Sequence, residues 1–188
     1  ILGSHGKKGI SKWLGSVSRK VVSGSPYPVI VARPPKKLSE EIFSRSKNVL
    51  IATDGSANSY NAIKKLVEIF NLDDAVIEIV TVKPGFESLP VEIKSDKEWL
   101  NKCLAKEEEI ANEILDTAKT MLVQNNYLPE KTFSLEGDPA EEILKYLSTN
   151  PKDLIVMGSH GREGISDILL GSISKRILDN AIGPVLIV

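Results

Sequence analysis

The 188 residues, 41% apolar and 26% charged, suffice for one well-buried domain with material left over. A single cysteine, Cys103, rules out an internal disulfide and points to a reducing compartment, and no apolar run approaches the roughly 20 residues that span a bilayer. The net charge of −1 conceals an asymmetry: residues 1–39 carry Lys7, Lys8, Lys12, Arg19, Lys20, Arg33, Lys36 and Lys37 and no acid, so the remainder is acidic.

A basic segment can serve nucleic acid or a membrane surface, or it can complement an acidic partner unit. With only Trp13 and Tyr27 in the segment, the lysines and arginines are not interleaved with aromatics as a stacking surface would be, which favours the second reading. Neither nucleic acid nor a membrane is expected as a partner. The start does not read as a signal peptide, since Lys7, Lys8 and Lys12 interrupt it. With no initiator Met and an apolar opening at Ile1, the chain reads as a fragment, and a cytoplasmic location is expected.

The chain begins with the tail of a phrase that it later writes in full. Gly3-Ser4-His5-Gly6 leads through Gly9-Ile10-Ser11 and Leu14-Gly15-Ser16 to Pro28-Val29-Ile30-Val31. After this comes a stretch with Pro34-Pro35, charges and serines, which reads as a linker. Asn48 to Thr53 is a short apolar run typical of a buried parallel strand. Ser56 is a plausible N-cap, and Ala62, Ile63, Leu66, Val67 and Phe70 fall at helical spacing.

Ala75 to Val82 reads as the second strand, and Pro84, Gly85 and Pro90 mark a loop. A long helix follows with Cys103, Leu104, Ile110, Ile114, Leu115, Ala118, Met121 and Leu122 as its apolar stripe. Lys131 to Glu136 is the third strand. Asp138 and Pro139 then start a helix, with Glu141 and Glu142 on its positive end. Asp153 to Met157 is the fourth strand, leading into Gly158-Ser159-His160-Gly161, Gly164-Ile165-Ser166 and Leu170-Gly171-Ser172. A helix from about Gly171 and a fifth strand from Pro184 to Val188 complete the unit.

Strands alternating with helices predict an α/β fold: a doubly wound, five-stranded parallel sheet with helices on both faces. Ligands of such sheets sit beyond the carboxyl ends of the strands, where Asp54 and the Gly158 loop both fall. Glycines let a backbone approach phosphate oxygens, and the helix at Gly171-Ser172 offers unpaired N–H groups to an anion.

Gly158, Gly161, Gly171 and Ser172 match the Gly-x2-Gly-x9-Gly-Ser/Thr motif, and from Lys47 to Val188 the chain resembles the ATP-binding branch of the universal stress protein family. Thr53-Asp54-Gly55-Ser56 and Gly137-Asp138-Pro139 belong to the resemblance too. It implies a Rossmann-like, adenine nucleotide alpha hydrolase-like sheet with strand order 3-2-1-4-5. Residues 1–33 would be the remnant of a first domain, 34–46 a linker and 47–188 a complete domain. The ligand implied is ATP, ADP or AMP with Mg²⁺ or Mn²⁺. Ala52, Thr53, Ser56, Arg162 and Ile173 would belong to its site. Asp54 would lie near the ribose and the metal-phosphate region, and backbone at Val82 would meet the adenine edge. Met157 and Gly158 would border the nucleoside, while Gly161, Gly171 and Ser172 would hold phosphates. Read as residues alone, Asp54 also suits a turn acid or helix cap, Met157 core packing, and Arg162 an ordinary surface position.

The first copy departs from this pattern, with one residue fewer between Gly6 and Gly15 and no counterpart of Asp54, so no binding by residues 1–33 alone is expected. His5 and His160, far apart, with one cysteine, supply no zinc cluster. The Ser159-His160 pair has no nucleophile elbow around it, and no catalytic residue is assigned. A Walker loop is absent. The leading reading is a stress-response regulator that binds adenine nucleotide, hydrolyses it slowly at most and shows the result to a protein partner. An ATP-using adenylyl- or phosphoryl-transferase, or an interaction protein with an empty site, are the alternatives. The bare apolar edge at Val185–Val188 calls for cover. Val29–Val31 is expected to supply it within the chain, or between two chains as a homodimer.

Overall fold

The computed structural model describes residues 2–3, 16–32, 48–161 and 170–188. The first glycine phrase beyond Gly3, the linker, Arg162 and Gly164 lie outside the described residues. In chain order the elements are β1 (Leu2–Gly3), α1 (Ser16–Gly24), β2 (Val29–Ala32), β3 (Asn48–Ala52), α2 (Ala57–Ile69) and β4 (Val76–Lys83). Next come α3 (Val91–Ser95), α4 (Lys97–Val123), β5 (Lys131–Glu136), α5 (Pro139–Thr149), β6 (Leu154–Met157), α6 (Ser172–Asn180) and β7 (Val185–Ile187).

The five-stranded, wholly parallel sheet expected from sequence is corrected on two counts. Among the described residues the sheet has seven strands in the order β1-β2-β7-β6-β3-β4-β5. It is mostly parallel, but β2 joins β7 antiparallel, Val29 to Ile187, Ile30 to Leu186 and Val31 to Val185. The extra strands come from the first segment, whose apolar Val29–Ala32 covers an edge that would otherwise be bare. The expected contact of Val29–Val31 with the last strand is thus present within the chain.

Alternation along the strands decides which face each residue packs on. Val49 and Ile51 of β3 point toward α2 and α4, joining Ala62, Ile63, Leu66, Leu115 and Leu122. Leu50 and Ala52 point the other way, toward Ile143 and Leu147 of α5, Ile177 of α6 and Val22 of α1. Sandwiched between two helical layers, β3 has Val49, Leu50 and Ile51 fully buried. Burial of each such side chain contributes about 1.5–3 kcal/mol.

Helix starts follow their caps. Ser56 Oγ accepts from the Ser59 N–H at 3.2 Å, and Asp138 Oδ1 accepts from the Glu141 N–H at 2.9 Å. The segment read as a loop after Pro84 also holds a 3-10 turn at Phe86–Ser88 and the short α3. Pro90 accounts for the helix start, since proline suits the entry to a helix as well as a loop.

At the amino end of the sheet, Glu78 takes Lys152 Nζ at 2.8 Å and the Tyr146 hydroxyl at 2.5 Å. Burial pushes the Glu78 carboxyl up, but the hydrogen bonds from Lys152 and Tyr146 outweigh it and hold the group below its ordinary value. Burial, and then the bond to Glu78, push the Tyr146 hydroxyl up to about 12. An unfolded tyrosine ionises near pH ~10. The folded state therefore keeps this contribution below about pH 10 and loses it as pH rises through about 12. Ultraviolet titration should show one late tyrosine, absent in Tyr146→Phe, whose stability should also fall less over that window.

Candidate functional site

The ends of β3, β4 and β6 and the starts of α2 and α6 converge at the carboxyl edge of the sheet. After Ala52 the chain leaves the sheet through Thr53, Asp54 and Gly55, the last at φ +78°, a conformation glycine adopts without a Cβ penalty. The turn ties itself together. Asp54 Oδ1 accepts from the Ser56 N–H at 3.0 Å, and Thr53 Oγ1 meets Ser59 Oγ at 2.9 Å. Ser56 is buried, caps α2 and lies 3.5 Å from the His160 carbonyl. Its work is to hold the turn, and it does not line the cleft described below.

Because β3 stops at Ala52, part of β4 loses its neighbour. In a parallel ladder alternate residues turn their N–H and C=O to opposite sides. Ile77 and Lys83 carbonyls bond toward β5, accepting from Glu130 and Gly137, whereas Val80 accepts from Thr53 on the β3 side. Val82 therefore turns a donor and an acceptor, side by side, into the gap left by β3.

Across the gap stands the start of α6. Whereas α2, α4 and α5 open with a side-chain cap, α6 opens on Gly171, which provides none. Its first-turn N–H groups, Ser172 to Ser174, are left to solvent or a ligand at the positive end of the helix dipole. Gly171 is fixed by its N–H donating to the Ser159 carbonyl at 2.8 Å, and Ser174 Oγ donates to the Gly158 carbonyl at 2.8 Å.

These groups enclose a cleft of about 630 Å³ whose lining includes Asp54, Val82, Gly161, Gly171, Ser172 and Ile173. An inner recess of about 80 Å³ adds Ala52, Thr53, Met157 and Gly158. Of the residues singled out from sequence, all the described ones except Ser56 thus meet at one place. A Cβ on Gly161 would lie 2.8 Å from Asp54 Oδ2, so the bare backbone brings the loop against the carboxylate. His160 lines both spaces, and its ring Nε2 is buried with no hydrogen-bond partner among the described residues.

Sequence reading missed the far wall. Ile110, Ala111 and Ile114 of α4, with Lys83 and Glu107, complete the cleft. The apolar stripe of α4 was legible, but it reads as core; part of it faces the opening because β3 ends short. Lys83 is paired with Glu108 and lies 3.9 Å from Glu136, so its charge is already answered. Among the described residues no cluster of three or more His, Cys, Asp or Glu could hold a metal ion unaided. Nor, among the described residues, is any helix long and apolar enough to cross a membrane.

Comparison with known proteins agrees with this geometry. The model of the universal stress protein family matches residues 45–188. Universal stress protein MJ0531 of Methanocaldococcus jannaschii is 37% identical over 145 residues, covering 76% of this chain and 81% of that protein. Universal stress protein Slr1230 of Synechocystis is 29% identical and matches 99% of this chain, which spans 56% of its length. Among solved structures, that of MJ0577 of M. jannaschii superposes with a TM-score of 0.63 at 29% identity, covering 76% of this chain and 95% of that one. The chain belongs to the universal stress protein family.

Proposed function

We propose that the cleft binds an adenine nucleotide (ATP, ADP or AMP) and that the chain is a stress-response regulator read by a protein partner according to what it holds. The observation that carries this is the pairing of two unlike ends in one cleft. Val82 offers a donor and an acceptor to a base edge, and the uncapped start of α6 offers N–H groups to phosphates. Asp54 and Gly161 occupy the space between. In this reading Ala52, Thr53, Met157 and Gly158 border the nucleoside, and Gly161, Gly171 and Ser172 hold phosphates. The orphaned His160 Nε2 is a further group for which a polar ligand would supply the partner.

A magnesium or manganese ion fits the donors present. Asp54 and Glu107 are hard oxygen ligands on the lining, too few for a cage but enough to share an ion with phosphates. Such an ion would neutralise phosphate charge beside two carboxylates. Among the described residues the cation on the lining, Lys83, is already paired with Glu108, so none is free to drive fast phosphoryl transfer, and binding with slow or partner-dependent hydrolysis is the expected behaviour. The domain reading is retained as part of the proposal, with 47–188 the nucleotide unit and 1–33 a remnant joined by 34–46. It is supported by the match of Slr1230 through both parts.

Calorimetric titration with ATP and Mg²⁺ tests the reading. Saturable binding is expected for the wild type. Asp54→Asn keeps the acceptor for the Ser56 N–H but loses the charge. It should weaken Mg²⁺-dependent binding by about tenfold, equivalent to ~1.4 kcal/mol, and leave metal-free binding less affected. Absence of binding by the wild type sinks the proposal, and rapid turnover without a partner would favour the transferase alternative.

A further inference from the structure

A second, smaller cavity of about 200 Å³ lies where the first segment meets the loop after β6. The first segment supplies Ser23 from the last turn of α1 and Ser25 and Tyr27 from the turn before β2. The other half comes from Asn58 in the first turn of α2 and from Ser159 and His160. Neither half encloses the space alone. The first segment therefore takes part in a site, besides covering the edge of β7. His160 belongs to the wall that this cavity shares with the cleft.

Size sets the scale of an occupant. The space is far above the ~10–15 Å³ that one water needs and below the roughly 300–1,000 Å³ of sites for drug-sized molecules. The lining sets its class. None of the described side chains on it carries a carboxylate, an ammonium or a guanidinium. A charge taken out of water without a counter-charge is costly, so the lining suits a neutral molecule. Hydroxyls and amides both donate and accept, and groups of the same kind on a ligand answer them best.

Part of this polar capacity is already used to shape the walls. Ser25 Oγ donates to the Tyr27 carbonyl at 2.9 Å and accepts from the Tyr27 N–H at 3.1 Å. Ser159 Oγ lies 3.1 Å from His160 Nδ1. Ser23 Oγ and the Asn58 amide make no hydrogen bond among the described residues, and they stand one on each half. Val22, Leu170 and Ile187 add apolar lining between them. A ring with hydroxyls around its rim and C–H bonds on its faces matches both kinds of surface.

We propose that this cavity is a second binding site and that it takes a small, neutral cyclic polyol, a monosaccharide or a cyclitol. The site stands apart from whatever the cleft holds.

Amide shifts of the full chain on adding myo-inositol, and separately D-glucose, test this. At least one should saturate, with shifts at Ser23, Tyr27, Asn58 and Ser159 and none at Val82 or Ser172. Mg²⁺–ATP is read at Val82 and Ser172, so a failure of the nucleotide reading leaves this result interpretable. Ser23→Ala and Asn58→Ala remove one group from each half, and each should weaken the saturating polyol by about fivefold. Inorganic phosphate should leave the four amides unmoved. Linear drift without saturation for both polyols, full affinity in either well-folded variant, or saturation by phosphate in their place would overturn the inference. Should one variant fold poorly by circular dichroism, the other decides.

Discussion

Gly158→Val should lower stability by about 3 kcal/mol and remove ligand binding with it. A Cβ on Gly158 would lie 2.8 Å from the Ser59 nitrogen and 2.9 Å from the Asn58 carbonyl carbon. Both are backbone atoms in the first turn of α2, which Ser56 caps and which packs Ala62 and Ile63 into the core. No side-chain rotation relieves such a clash. Either α2 retreats from β6 or the loop after Met157 shifts, and that loop carries the carbonyl that accepts from Ser174 at the start of α6. For a chain of this length, about 3 kcal/mol corresponds to a fall of roughly 6–12 °C in Tm. Thermal unfolding followed by circular dichroism measures it. An unchanged Tm would mean that α2 gives way at little cost.

Gly161→Ala should do the opposite, sparing the fold and damaging the site. Its Cβ would meet Asp54 Oδ2 at 2.8 Å, with the carboxylate carbon 3.9 Å away. The obstacle is the end of a side chain on an open cleft and Gly161 is exposed, so stability should change by no more than about 0.5 kcal/mol. To make room, Asp54 must turn away from the loop, which removes the carboxylate from its place beside the proposed phosphate site. Affinity for Mg²⁺–ATP should fall by tenfold or more, about 1.4 kcal/mol or above. The contrast between the two glycines is the informative result. Equal losses of stability in both variants would refute the division of labour.

That division was not legible in the sequence. The resemblance sets Gly158 beside the nucleoside and Gly161 beside the phosphates, both as binding glycines. Yet the Cβ direction of Gly158 points at α2, and a spacing pattern carries no direction. Ser56 is a similar case: it belongs to the turn that builds the cleft, but as the cap of α2 it is not part of the lining. What could be read was the alternation of apolar runs with amphipathic stretches. It located β3 to β7 and the main helices, because buried parallel strands need continuous apolar residues.

The number of strands could not be read in the same way. Val29–Val31 was expected on the last strand and lies there, but its antiparallel direction and the addition of β1 beyond it are long-range features that no local apolar run carries. The wall formed by Ile110, Ala111 and Ile114 was hidden for a related reason. A stripe says that residues face something apolar, and it takes the early end of β3 to leave part of that something open.

Amide-resolved chemical shifts on adding Mg²⁺–ATP to the full chain test the site most directly. Shifts should concentrate at Val82 and Lys83, at Gly161, and at Ser172 to Ser174, with His160 gaining a partner at Nε2. The first-segment helix α1 and the amino end of the sheet around Glu78 should stay put. Saturating nucleotide that leaves the Val82 and Ser172 amides unmoved, or that shifts residues elsewhere, would contradict the account.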